Sequence, residues 1–121
     1  MTIAALIAIL VGIETGGHPN PVKAMGDDGK ALGVLQTHKI MVREVNRLIG
    51  EDRYRYEDRL NREKSIEMCA VFLCFQIRRY EKRHGRRPSD FQILCSWNSG
   101  SIYRPGTNDY QRKVKRILNA R

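Results

Sequence analysis

Apolar residues recur at spacings of three and four along most of the chain, which predicts a mainly helical protein. The first predicted helix runs from about Thr2 to Glu14 and is apolar nearly all round, so we expect it to be buried on several faces. Gly16 and Gly17 lower helix propensity, and the prolines that follow forbid continuation. Glu14 is therefore expected at the end of an apolar helix.

The next segment, from Thr15 to Leu32, is rich in Gly, Pro, Asn and Asp. Such residues favour turns, and Asp28-Gly29 has the chemistry of a tight hairpin turn. We therefore predict a loop or a small β-hairpin here.

Helix-end signals place the remaining helices. The second runs from about Lys39 to Leu48 and stops at Gly50, and a charged linker, Glu51 to Arg59, follows it. The third and longest helix runs from the cap Asn61 to about Arg83. The inward residues predicted for these two helices are Ile40, Val42, Val45, Leu48, Ile49, Ile66, Cys69, Leu73, Ile77 and Tyr80.

Two shorter helices complete the chain. Ser89 with Gln92 forms a capping box for a helix that breaks at Asn98-Ser99-Gly100. Thr107 is a cap candidate for the last helix. The inward residues predicted here are Phe91, Leu94, Cys95, Trp97, Tyr110, Val114, Ile117 and Leu118.

Length and composition suit a single domain over residues 1–121, because 41% of the residues are apolar and 29% are charged. The longest apolar stretch, Ile3 to Val11, is too short to span a bilayer, and no basic residue precedes it, so we predict neither an anchor nor a signal peptide. The three cysteines lack the spacing of a zinc site or disulfide framework, and we expect buried thiols in a reducing compartment.

A formal charge of +9 favours anionic partners, which include nucleic acid, a membrane face and an acidic cell-wall polymer. Basic residues cluster within residues 78–87 and 112–116. No nucleic-acid-binding motif accompanies them, so we expect no nucleic-acid partner and interpret the clusters as solvated helix faces.

Glu14 and Asp27 are the candidate catalytic pair. A carboxylate at the end of an apolar helix is partly desolvated, which favours its protonated form and suits a general acid. Asp27 and Asp28 fall in the loop that folds back against that helix, and two carboxylates flanking a cleft are what glycoside hydrolysis uses. The alternative is that Asp27-Asp28-Gly29 is simply a turn.

Four motifs in order resemble the goose-type lysozyme and soluble lytic transglycosylase family. Glu14-Thr15-Gly16-Gly17 is similar to its Glu-Ser-Gly-Gly motif, and Gly33-Val34-Leu35-Gln36 to Gly-Leu-Met-Gln. Ser96-Trp97-Asn98-Ser99-Gly100 resembles Ala-Tyr-Asn-Ala-Gly, and Thr107 with Tyr110 resembles the closing segment. The resemblance implies a lysozyme-like fold with a long central helix, surrounding helices and at most a small hairpin.

The same resemblance implies roles for these residues. Glu14 becomes the catalytic acid of a muramidase that cleaves the β-1,4 bond between N-acetylmuramic acid and N-acetylglucosamine in peptidoglycan. Gln36 and Asn98 bind substrate, and Tyr110 contacts the glutamate, although its position on an inward stripe fits a core residue equally well. We expect Trp97 to be core packing rather than a sugar platform.

Two reactions are compatible with this resemblance. A lytic transglycosylase needs no second carboxylate, because the muramic acid's own hydroxyl closes onto the anomeric carbon. A goose-type hydrolase uses a second carboxylate, a role that falls on Asp27, to activate water. Thr37 and His38 stand where that group carries an additional aspartate, which leaves water activation open.

The three histidines share no ligand spacing, so no metal site and no cofactor are predicted. We expect a monomer that acts on peptidoglycan strands in the bacterial cell wall or periplasm. Without a recognised signal peptide it resembles a phage lysis or virion enzyme. The alternatives are a non-catalytic wall-binding or virion structural module, and a basic nucleic-acid-binding protein.

Overall fold

The computed structural model describes residues 1–16, 20, 23–26 and 29–121. Within these residues the protein is mainly helical with one small antiparallel sheet, which confirms the predicted class. The helices are α1 (Ile3–Thr15), α2 (Lys39–Ile49), α3 (Arg62–His84), α4 (Asp90–Ser99) and α5 (Asn108–Asn119). The strands are β1 (Met25–Gly26) and β2 (Ala31–Leu32), and a 3₁₀ helix, Tyr56–Leu60, precedes α3.

The chain divides into two compact units. We call them the terminal unit, which comprises Met1–Ile9 with Leu73–Arg121, and the central unit, which comprises Leu10–Phe72. Both boundaries fall inside helices, so α1 and α3 each contribute to both units. A single domain over residues 1–121 stays a prediction.

The first helix is buried on several faces, as predicted. Its large apolar side chains are buried, whereas a line of small residues at intervals of four is exposed. The buried residues are Leu6, Ile7, Ile9 and Leu10, and the exposed ones are Ala4, Ala8 and Gly12. None of the helices in the described part of the chain is long and apolar enough to cross a bilayer.

The central unit contains the hairpin and α2. Strands β1 and β2 pair antiparallel, with Met25 opposite Leu32, so of the two predicted alternatives, a loop or a small β-hairpin, the structure shows the hairpin. In α2, Val42 and Val45 are buried as expected, but Ile40 is 71% exposed, so its inward placement was wrong. Residues two apart lie about 200° apart around a helix, so Ile40 and Val42 face opposite ways.

In the terminal unit, α4 packs on α5, and the predicted helix caps are present. The Ser89 hydroxyl accepts from the Gln92 backbone N–H, while the Gln92 side chain accepts from the Ser89 N–H. Trp97 is buried, as expected for core packing. Cys95 is also buried, and burial raises the pKa of its thiol to about 11.

Candidate functional site

Glu14 lies half-buried in the last turn of α1, and no basic residue shares that turn. The helix end is closed by the Gly16 N–H, which donates to the Gly12 carbonyl over 3.1 Å, and by the Thr15 hydroxyl, which donates to the Val11 carbonyl over 2.7 Å. Gly16 has a φ of +51°, in the left-handed region that glycine adopts without strain. Local sequence alone thus places this carboxylate at a helix terminus.

Gln36 is held in an unusual backbone conformation. Its φ of +48° is the one positive φ of a non-glycine residue in the described part of the chain. Its Nε2 donates to the Ala24 carbonyl over 3.1 Å and to the Gly33 carbonyl over 2.9 Å. The side chain therefore joins the two residues that flank the hairpin, Ala24 before β1 and Gly33 after β2.

Two glycines make this packing possible. A Cβ atom on Gly26 would lie 2.4 Å from the Gln36 Oε1 atom. A Cβ on Gly33, whose φ is +84°, would lie 1.9 Å from the Arg59 carbonyl oxygen. Gly33 of the Gly-Val-Leu-Gln motif is therefore required by the close approach of the Arg59 backbone as well as by its own conformation.

The buried Arg59 side chain joins the 3₁₀ helix to the hairpin. Its Nε donates to the Tyr56 carbonyl over 2.8 Å, and Nη1 donates to the carbonyls of Lys30 and Thr37 over 3.0 and 3.1 Å. Burial lowers the pKa of this guanidinium from its ordinary value. No carboxylate pairs with Arg59 within the residues that the structure describes.

Sequence reasoning missed this residue. Arg59 falls in the segment predicted as a charged linker, and nothing in its spacing distinguishes it from the exposed arginines around it. Its role depends on carbonyl groups 22 and 29 residues earlier in the chain, and no local pattern reports such contacts.

Thr37 is buried. In the resemblance to goose-type lysozymes, this position corresponds to an additional aspartate. Thr37 is 1% exposed, and its backbone pairs in both directions with Leu32. Its hydroxyl makes no hydrogen bond within the described part of the chain. Burying a charged carboxylate at this position would cost far more free energy than burying the neutral threonine hydroxyl.

Asn98 occupies the corner between α4 and α5. It is exposed, and its Oδ1 accepts a hydrogen bond from the Thr107 N–H over 3.1 Å. A Cβ on Gly106 would lie 2.6 Å from that same oxygen. The Thr107 hydroxyl in turn caps α5 by accepting from the Tyr110 N–H, and the Tyr110 side chain is buried. The corner thus links Asn98, Thr107 and Tyr110.

The structure therefore gathers the candidate residues into two groups. Glu14 and Gln36 belong to the central unit, whereas Asn98 and Tyr110 belong to the terminal unit. Asp27 and Asp28 lie outside the described residues, so the role predicted for Asp27 stays a prediction. Among the described residues there is no group of three His, Cys, Asp or Glu side chains that could hold a metal ion.

Comparisons with protein-family models, with curated proteins and with solved structures found no match to this chain.

Proposed function

We propose that this protein is a lysozyme-like muramidase that cleaves the β-1,4 bond between N-acetylmuramic acid and N-acetylglucosamine in peptidoglycan. The observation that carries the proposal is Glu14, a half-buried carboxyl group in the last turn of an apolar helix with no basic residue in that turn. Partial burial and the negative end of a helix dipole are two conditions that in general disfavour the charged form of a carboxyl group. A carboxyl group in such a setting is suited to donate a proton to a glycosidic oxygen.

The conformation of Gln36 supports the proposal. Strained backbone at a non-glycine residue clusters at functional sites, because the surrounding structure must hold it there. The loop uses the amide NH₂ group of Gln36, while Oε1 accepts no hydrogen bond within the described part of the chain. In the proposed enzyme Oε1 accepts from the N–H of an acetamido group.

Asn98 has the complementary half of its amide available. Its Oδ1 is used by the Thr107 N–H, and no partner of its Nδ2 is found within the described residues. In the proposed enzyme this NH₂ group donates to a sugar hydroxyl or to an acetyl carbonyl. The role proposed for Tyr110 rests on the resemblance of the closing segment.

The proposed reaction begins when Glu14 transfers its proton to the bridging oxygen, and the C–O bond to the anomeric carbon of the muramic acid breaks. An oxocarbenium-like state results, and the N-acetylglucosamine leaves as an alcohol. In transglycosylation the Glu14 carboxylate then takes the proton of the muramic acid's own hydroxyl, whose oxygen bonds to the anomeric carbon and gives an anhydro product. In hydrolysis Asp27 takes the proton of a water molecule, whose oxygen bonds to the anomeric carbon and gives a reducing end.

The test is release of soluble fragments from purified peptidoglycan by the full chain. Glu14→Gln keeps the shape of the side chain but has no carboxyl proton to donate, so we expect the rate to fall roughly 10²-fold to 10⁴-fold. Glu63→Gln, which changes an exposed carboxylate in the first turn of α3, is the matched control and should retain the wild-type rate. Full activity of Glu14→Gln, or no release by the wild type, would overturn the proposal.

Mass spectrometry of the released fragments decides between the two reactions. Anhydro ends indicate transglycosylation, and reducing ends indicate hydrolysis. If hydrolysis is found, Asp27→Asn should abolish it, whereas a transglycosylase should tolerate this change.

A further inference from the structure

The end of α3 carries a stripe of exposed cations. Arg79, Lys82 and Arg83 are spaced by three and four residues and therefore share one helix face, and Arg86 follows just after the helix end. We call these four residues the basic stripe. All four are exposed, and none of them forms an ion pair with any carboxylate that the structure describes.

Two tyrosine rings hold the arginines of the stripe. Tyr103 stacks on the buried Tyr80 with 5.9 Å between ring centroids and 27° between planes. The guanidinium carbons of Arg79 and Arg83 lie 4.9 and 5.4 Å from the Tyr103 centroid, and that of Arg86 lies 6.0 Å from the Tyr80 centroid. Side chains ordered in this way lose less conformational entropy when a ligand binds.

The chemistry of the stripe matches phosphate groups. A guanidinium presents its N–H donors in a planar fork that can bind two phosphate oxygens at once. Several unpaired cations on one face favour a ligand with repeated charges over a single anion. The basic cluster in α5 differs, because Arg112 is already paired with Asp109.

The stripe has little with which to recognise a nucleobase. Single-stranded nucleic acids bind through bases that stack on open aromatic faces. Here Arg79 and Arg83 lie over the Tyr103 ring, and the Tyr80 and His84 rings pack beside it. The stripe also contains no Asn or Gln side chain that could read a base edge.

We infer that the basic stripe is a binding surface for a linear, base-free phosphodiester polymer, such as a chain of polyol phosphates. The polymer contacts the arginines through its phosphate oxygens and is recognised by charge and spacing. The inference rests on residues of the terminal unit alone and does not depend on Glu14.

The experiment measures binding of the full chain to a fluorescent glycerol-phosphate oligomer across a range of salt concentrations. We expect the triple variant Arg79→Gln/Arg83→Gln/Arg86→Gln to bind about 10²-fold more weakly than the wild type. We also expect the slope of log affinity against log salt to be shallower by about 2 to 3, because about 0.7 to 0.9 of slope is lost per phosphate contact.

The control is the triple variant Arg43→Gln/Arg62→Gln/Arg116→Gln, which has the same net charge and changes only exposed residues outside the stripe. We expect it to lose less than about threefold in affinity. Equal losses in the two triple variants would overturn the inference, since they would show that net charge alone attracts the polymer.

A single substitution keeps the inference testable if the triple variant fails to fold. No cation–π contact of Lys82 with the Tyr80 or Tyr103 ring is found among the described residues, so Lys82→Gln should leave the thermal midpoint unchanged and lower the affinity about threefold to fivefold. An unchanged affinity in Lys82→Gln would contradict the inference even if the arginine triple variant did not fold.

Two further probes distinguish other ligands. An oligothymidylate with the same number of phosphates should bind no more tightly than the glycerol-phosphate oligomer. Phosphatidylglycerol vesicles should bind no more tightly than the soluble oligomer at equal accessible phosphate. Markedly tighter binding to either would assign the stripe to nucleic acid or to a membrane surface and overturn the inference. None of these probes contains the β-1,4 bond between aminosugars that the proposed muramidase cleaves, so this result is separate from that of the peptidoglycan assay.

Discussion

The hairpin of the central unit and the α4–α5 corner of the terminal unit solve the same structural problem in different ways. Each holds an amide side chain against a glycine, Gln36 against Gly26 and Asn98 against Gly106. The corner is held by bonds that span three and nine residues of sequence. The hairpin also depends on Arg59, which reaches carbonyls 22 and 29 residues away.

The two amides also use opposite halves in the fold. Gln36 donates through Nε2 to two carbonyls, whereas Asn98 accepts through Oδ1 from one N–H. A side-chain amide can therefore stabilise a loop either through its NH₂ donor or through its oxygen acceptor. In each case no hydrogen bond of the other half of the amide is found among the described residues.

The largest effect is expected where the hairpin meets the Arg59 backbone. Gly33→Ala should lower the free energy of unfolding by about 4 kcal/mol, because the new Cβ would lie 1.9 Å from a backbone oxygen. Gly29→Ala is the matched control, since Gly29 has the same φ of +84° with nothing within 4 Å, and it should cost only about 1 kcal/mol. Urea unfolding measures both, and equal losses would show that the close approach is unimportant.

The next effect tests the long-range support of the hairpin. Arg59→Met removes three hydrogen bonds that the buried guanidinium donates to the carbonyls of Lys30, Thr37 and Tyr56, so we expect a loss of about 3 kcal/mol. Arg55→Met changes an exposed arginine at the start of the same 3₁₀ helix and should stay within about 0.5 kcal/mol of the wild type. A loss below 1 kcal/mol in Arg59→Met would mean that water replaces these bonds.

A pair of isosteric changes tests which half of each amide supports the fold. Gln36→Glu removes the NH₂ donor and should cost about 2 kcal/mol at neutral pH. Asn98→Asp keeps the oxygen that accepts from Thr107 and should change stability by less than about 0.5 kcal/mol. Under the proposed function, Asn98→Asp should nevertheless weaken substrate binding, which a rise in KM would report. Equal destabilisation by Gln36→Glu and Asn98→Asp would contradict the statement that the fold uses the donor half of Gln36 and the acceptor half of Asn98.

The smallest effect compares one charged cap with one neutral cap. Asp58 accepts from the Arg55 N–H over 2.8 Å, and this hydrogen bond, with help from Lys64, lowers the pKa of Asp58 below its ordinary value of 3.8. Thr107 caps α5 through a hydroxyl that does not titrate. Asp58→Ala and Thr107→Ala should each cost about 1 kcal/mol at neutral pH.

In acid, the stability contributions of Asp58 and Thr107 should differ. The folded pKa of Asp58 is lowered, so its contribution is fully present above its ordinary pKa and disappears as the pH falls through the folded value. The cost of Asp58→Ala should therefore vanish in strong acid, while that of Thr107→Ala persists. Thermal unfolding of both variants at neutral pH and in strong acid tests this. If Asp58→Ala costs as much stability in strong acid as at neutral pH, the contribution of Asp58 does not depend on its charge.

The helices and their ends could be predicted because their determinants are local. Apolar spacing gave α3, and the caps Ser89 and Thr107 set the starts of α4 and α5. The position of Glu14 followed equally locally, from an apolar run and the Gly16 that ends it. Ile40 is exposed although it is apolar, because its angular position on α2 is nearly opposite that of the buried Val42.

The mainly helical class, the helix caps and the position of Glu14 at a helix end could be predicted from the amino-acid sequence, because each depends on residues only a few positions apart, whereas the Gly- and Asp-rich segment left a loop or a hairpin open. Only the tertiary structure decided that Arg59 is buried, that Gly33 must lack a side chain, and which half of the Gln36 and Asn98 amides the fold uses. Those features depend on backbone groups that folding brings close. No spacing within the chain specifies such contacts.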